Sequence, residues 1–267
     1  MKLFNRKPHI DNKYFNEEPL RLQLFSAEQM VKHAKMLAQQ HALAKRKVGD
    51  VLLPRLADNE KKLLLVREQL KQTVKEGHEV TPAGEWLLDN FYLIEEQIQL
   101  AKKHLPKGYS EGLPQLEEAA VPRVYDIALE VIQHSDGRLD MDILNVFLRA
   151  YQSGTELKIG ELWAIPIMLR LALLENLRRV AVRISEDREY RDLADRWAKQ
   201  MIATVDKEPA KLILVLADMA RSNPPLRRPF VAEFTRQLRG RGPTLQQVLN
   251  WIEDRLNEEG HTSIEMV

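Results

Sequence analysis

Residues Lys158 to Ile184, KIGELWAIPIMLRLALLENLRRVAVRI, constrain the fold more than any other stretch. Leu162, Ile165, Leu169, Leu173, Leu177, Val180 and Ile184 recur at steps of three and four, which draws an apolar stripe down one side of a helix. Trp163, Ile167, Leu171 and Leu174 widen the stripe until little polar surface is left before Glu175. A helix apolar over most of its circumference has to be enclosed by others. The stretch therefore reads as the central rod of a helical domain. Pro166 falls inside the pattern, and an interior proline removes one backbone hydrogen bond at a cost of roughly 3 kcal/mol. Either a kink there or a helix that begins near Glu161 is expected.

The chain has 267 residues, enough for one large domain or two small ones with a real core. Hydrophobic residues make up 44% and charged residues 30%, a globular profile and not a disordered one. Few glycines and no β-branched runs favour helix over sheet. A net charge of +1 supplies no long-range field for nucleic acid or anionic lipid. The absence of cysteine excludes disulfides, thiolate metal sites and cysteine catalysis. No run approaches the roughly 20 apolar residues of a membrane span, since Arg170 and Glu175 cut even the rod. The first fifteen residues, MKLFNRKPHIDNKYF, contain no apolar core of the kind a secretory leader needs.

In chain order, residues 1–25 read as an irregular lead-in broken by Pro8 and Pro19, and Ser26 with Gln29 has the capping-box form that opens a helix toward Lys47. A long helix follows Pro54 and stops at Gly77. Thr81-Pro82 opens the next, leading into Trp86–His104 with Trp86, Leu87, Phe91, Ile94 and Ile98 inward. These form an N-terminal subdomain over 26–104. Residues 105–121, with two glycines and two prolines, are the longest loop. A helical core subdomain over 122–267 then holds the Val121–His134 helix, the Asp140-capped Met141–Tyr151 helix, the rod, an amphipathic Ser185–Val205 helix and three more opened by Pro209, Pro229 and Thr244. The prediction is an all-α bundle of about ten antiparallel helices around a buried central one. Thr262 to Glu265 form a further capping box five residues before the end, so the chain reads as a piece of a longer one.

Candidate chemical sites give way to plainer readings. Asp140-Met141-Asp142 has the DxD form that holds a nucleotide-sugar's divalent ion, but an N-cap with a first-turn acid accounts for it without a nucleotide-binding sheet. Arg196-Trp197 lacks the glutamine of a QxxRW motif, because Leu193 takes that place. His33 and His41 stand eight apart and could share a face, yet no third ligand is evident; His134 ends a helix, where an imidazole meets free carbonyls. The four tryptophans sit at helical spacing and read as core. Tyr109, flanked by Lys107 and Glu111 in the long loop, is the residue most open to a partner or a glycan. No phosphate loop, nucleophile elbow or one-sided basic stripe is present, so neither catalysis nor nucleic-acid binding is expected. No catalytic, cofactor-binding or metal-binding residue is assigned.

The residues themselves go further than the physics. Glu161–Ala181, ELWAIPIMLRLALLENLRRVA, resembles a signature near the N-terminus of bacterial cyclic β-1,2-glucan synthases. Asp89–Ile98 (DNFYLIEEQI), Leu105–Tyr109 (LPKGY) with Leu113-Pro114, Pro122–Glu130 (PRVYDIALE), Asp136–Asp140 (DGRLD) and Pro224-Pro225-Leu226 resemble the same region in the same order. Lys158 departs from the pattern, standing where a capping Ser or Thr would complete a box with Glu161. The resemblance implies a very large inner-membrane enzyme that polymerises glucose from UDP-glucose with a divalent metal, then cyclises the product. Its glucosyltransferase core, membrane spans and phosphorylase-like part would lie downstream. This chain would be the helical segment on the cytoplasmic side, a scaffold for the catalytic domain of its own polypeptide and without a cofactor of its own. A carbohydrate- or nucleotide-sugar-binding module centred on the 105–121 loop, or a stand-alone adaptor, is the alternative.

Overall fold

The computed structural model describes residues 18–20, 24–45, 49–77, 79–258 and 260. Within them the chain forms ten α-helices: α1 Ala27–Gln40, α2 Leu52–Lys75, α3 Pro82–Asp89, α4 Phe91–His104, α5 Arg123–His134, α6 Met141–Gln152, α7 Ile159–Lys207, α8 Leu212–Ser222, α9 Arg228–Leu238 and α10 Pro243–Glu258. No strand occurs among the described residues; two isolated bridges, Leu43 to Leu116 and Gln115 to Pro122, tie loop segments together. The chain packs as two units, Met1–Arg183 and Ile184–Val267, and α7 runs through the boundary.

Local chemistry explains most of the boundaries. Ser26 and Gln29 close the predicted capping box on α1. That helix ends at Gln40, short of the predicted Lys47, because His41 turns extended. The departing chain then hydrogen-bonds to the long loop, Ala44 N–H to Gln115 O at 2.8 Å and Glu117 N–H to Ala42 O at 2.9 Å. The helix expected over Trp86–His104 is two, α3 and α4, broken at Asn90, whose side chain donates back to Trp86 O at 2.8 Å. Helix α10 starts at Pro243, one residue ahead of the predicted Thr244 cap. The Thr262–Glu265 box lies outside the described residues.

The rod differs most from its prediction. Helix α7 is one helix of 49 residues that absorbs the amphipathic segment expected to follow as a separate element. No glycine or proline occurs between Ile167 and Glu208 to end it. It begins at Ile159: Lys158 supplies no side-chain cap, but the Glu161 carboxylate accepts the Lys158 N–H at 3.0 Å and completes the other half of the box. Pro166 stays within the helix. The carbonyl it fails to reach belongs to Leu162, an exposed residue, where solvent can take its place.

In the first unit the buried side of α7 carries Glu161, Ala164, Met168, Leu171, Ala172 and Glu175. Leu56, Leu63, Val66, Leu70 and Thr73 of α2 are likewise buried, with Val74 exposed, and Phe91, Ile94 and Ile98 of α4 are buried as predicted. In the second unit Ala194, Ala198 and Met201 of α7 pack with α8, α9 and α10 around Phe230 and Phe234, whose rings stack at 5.6 Å. Trp197 and Trp251 pack, partly buried, against this core.

Candidate docking groove

The stripe Leu162, Ile165, Leu169, Leu173 and Leu177, which the spacing assigns to the core, lines an open groove of about 690 Å³ in the first unit. Leu169 is buried at its floor, but Trp163 is 79% exposed, so that tryptophan does not face a core. Trp86 of α3 (56% exposed) and Met141 of α6 (66% exposed) stand on the walls with Leu93, Leu139 and Leu148. Two of the four tryptophans predicted as core are thus at the surface. Arg170 crosses the groove, its Nε donating to Gln97 Oε1 at 3.1 Å.

The opposite face of α7 explains the inversion. Glu161 and Glu175 look like surface residues in the sequence, but both are fully buried. Arg123, at the start of α5, donates to Glu161 through Nε at 2.9 Å and Nη2 at 2.5 Å, and its Nη2 also reaches Glu156 O. Arg55 of α2 grips Glu175 in the same two-pronged way at 2.9 and 2.5 Å, while Arg178 and Arg179 each add a donor at 2.8 Å. Burial pushes the Glu175 carboxyl upward, but the Arg55 hydrogen bonds and the charges of Arg55 and Arg179 outweigh it and hold the group below its usual value. Arg178 is pushed down to about 10 by burial and by neighbouring Arg179. Buried ion pairs of this geometry lock α7 in rotation, because turning it would strand the two Arg55 donors at Glu175 and the two Arg123 donors at Glu161 without their carboxylates. The apolar stripe is thereby left along the groove, with Leu162 exposed, Ile165, Leu173 and Leu177 half-buried and Leu169 buried.

The long loop is fastened inward. Asp50 accepts the N–H groups of Leu52 and Leu53 at the start of α2, and also the Gly108 N–H at 3.1 Å and the Ser110 hydroxyl at 2.6 Å. Burial works to raise the Asp50 carboxyl, and these four hydrogen bonds, that of Ser110 foremost, hold it low. Tyr109 is half-buried, with Lys107 and Glu111 exposed beside it. Asp140 caps α6 by accepting the Asp142 N–H at 2.8 Å, the plainer of its two readings. Trp197 packs against the core of the second unit, and Arg196 is exposed.

The structure joins His33 to His134 rather than to His41. His33, Glu130 and His134 are the one group of three metal-ligating side chains that meets among the described residues. The sequence could not show this: His33 and Glu130 are 97 residues apart. The pairing of His41 with Asp126 and Tyr151 in the same region spans 85 and 110 residues. The only local signal was Asp126, Glu130 and His134 at steps of four along α5.

The described residues thus form an all-α module with an open apolar groove along α7. No family model matches the chain. It is similar to the cyclic β-(1,2)-glucan synthase NdvB of Rhizobium meliloti (strain 1021), at 33% identity over 205 residues. The match covers 76% of this chain and 7% of that relative's length. The resemblance to cyclic β-1,2-glucan synthases drawn from the 161–181 block therefore holds over most of the chain.

Proposed function

We propose that this chain is the helical N-terminal segment of a glucosyltransferase that makes cyclic β-1,2-glucan from UDP-glucose, and that it serves as a non-catalytic scaffold for the catalytic part of the same polypeptide. The observation that carries the proposal is the groove on α7, lined by Leu162, Ile165, Leu169, Leu173 and Leu177 together with the exposed Trp86 of α3. Contiguous apolar surface of this kind marks interaction sites in soluble proteins. Its occupant is an apolar segment of the downstream polypeptide; in the NdvB relative the matched region is only 7% of the length. The segment lies on the cytoplasmic side of the inner membrane. No helix of the described residues is long and apolar enough to cross a membrane.

Two measurements test the reading. UDP-glucose turnover by this chain alone is expected to be nil, and detectable glucosyl transfer would overturn the scaffold role. In the longer polypeptide, Leu173→Asp is expected to abolish assembly with the catalytic part while the helical circular dichroism of the isolated chain persists. Unchanged assembly would remove the groove from the proposal. Tryptophan fluorescence titrated with β-1,2-glucan or UDP-glucose separates the alternative, a sugar-binding module at the 105–121 loop. No change up to millimolar ligand supports the scaffold.

A further inference from the structure

We infer that His33, Glu130 and His134 form a binding site for one zinc-class divalent ion. Glu130 and His134 stand one helical turn apart on α5 and project from the same face. His33 comes from α1. Glu130 Oε2 lies 2.6 Å from His33 Nε2 and 3.4 Å from His134 Nε2, and the three ligand atoms all fall within 4.8 Å of one another. Two imidazole nitrogens with one carboxylate oxygen is a donor set suited to zinc and to other first-row transition ions, and poorly suited to magnesium or calcium, which take oxygen.

One ligand pair already has the spacing that an ion needs. With ligand bonds of about 2.0–2.1 Å, tetrahedral coordination sets ligand atoms about 3.3 Å apart. The His134–Glu130 separation of 3.4 Å already has this value. His33, hydrogen-bonded to Glu130 in the metal-free arrangement, has to withdraw by about 0.7 Å. The ion would take the place of that hydrogen bond. Phe25 stacks face to face on the His134 ring at 3.7 Å and meets His33 edge-on at 5.4 Å, so the orientation of both rings is set by packing before any ion arrives. His33 and Glu130 also line a cavity of about 300 Å³ that Asp126 and Glu118 make acidic, which gives a cation a way in and a fourth position for water. His41 belongs to that cavity but not to the site: its two ring nitrogens are taken by Tyr151 Oη at 2.7 Å and Asp126 at 3.0 Å.

Calorimetric titration of the chain with zinc sulfate is expected to show one ion bound per chain, with at least tenfold weaker binding in His33→Ala and in Glu130→Gln and no change in His104→Ala. Cobalt(II) added to the wild-type chain is expected to give visible d–d absorption. Imidazole nitrogen resonances in NMR are expected to shift on zinc addition for His33 and His134 but not for His41. The spectra of the wild-type chain need no variant to fold. Absence of both the absorption band and the resonance shifts at one millimolar ion would reduce the cluster to a hydrogen-bonded core contact. So would zinc binding that survives His33→Ala intact.

Discussion

Glu175→Gln tests the account of α7 most directly. The substitution keeps the shape of the side chain and removes only its charge, at a position with no solvent exposure. Four N–H donors from Arg55, Arg178 and Arg179 converge on this one carboxylate, three of them on Oε1. Hydrogen bonds to a charged partner contribute about 1.5–3 kcal/mol each when considered singly, and breaking a buried ion pair by neutralising one member costs about 3–5 kcal/mol. The second figure applies, because the four contacts share one anion and do not add. Against a total stability of about 5–15 kcal/mol this is a large fraction. At about 2–4 °C per kcal/mol for a domain of this size, the expected loss in Tm is roughly 6–20 °C. The acid limb changes as well. Glu175 titrates below its usual 4.5 in the folded chain, so its contribution is complete above that value and is lost as pH falls through the lower, native one. Glu175→Gln is expected to flatten the stability curve in that window. Thermal melts followed by circular dichroism from pH 3 to 7 provide the assay, with Asp218→Asn in the exposed Asp218–Arg221 pair as a control expected to shift stability by under about 1 kcal/mol. A loss for Glu175→Gln no larger than that of the control would refute the claim that this cluster sets the rotation of α7.

Further outcomes follow from the same contacts. Asp50→Ala removes the acceptor for the Leu52 and Leu53 N–H groups of α2 and the anchor of the long loop together, and is expected to cost about 1–3 kcal/mol and to speed proteolysis between residues 106 and 120, read by mass spectrometry of the fragments. Trp163→Ala is expected to leave the melting temperature, read by circular dichroism, within about 1 °C, since a side chain this exposed contributes little. Phe234→Ala, in the buried centre of the second unit, is expected to destabilise that unit by about 3–5 kcal/mol, measured by denaturant unfolding followed through Trp197 and Trp251 fluorescence.

The sequence alone determined the helical class, the positions of most helix ends and the kinship with glucan synthases. These depend on information within a few residues: a Ser–Gln box at 26–29, Thr81 before Pro82, glycines at 77, 137 and 240 in left-handed backbone, and a contiguous block at 161–181. Tertiary structure decided which face of α7 is core. Apolar spacing pointed to Leu162, Ile165 and Leu173, while Glu161, Glu175, Arg178 and Arg179 looked like solvent-facing charges. Their burial requires Arg123 and Arg55, placed 38 and 120 residues from their carboxylates. The free energy of burying a charge depends on whether a partner meets it, and a local period in the chain carries no record of that partner. The same holds for His33 and His134, which become one cluster only where α1 and α5 bring them to Glu130.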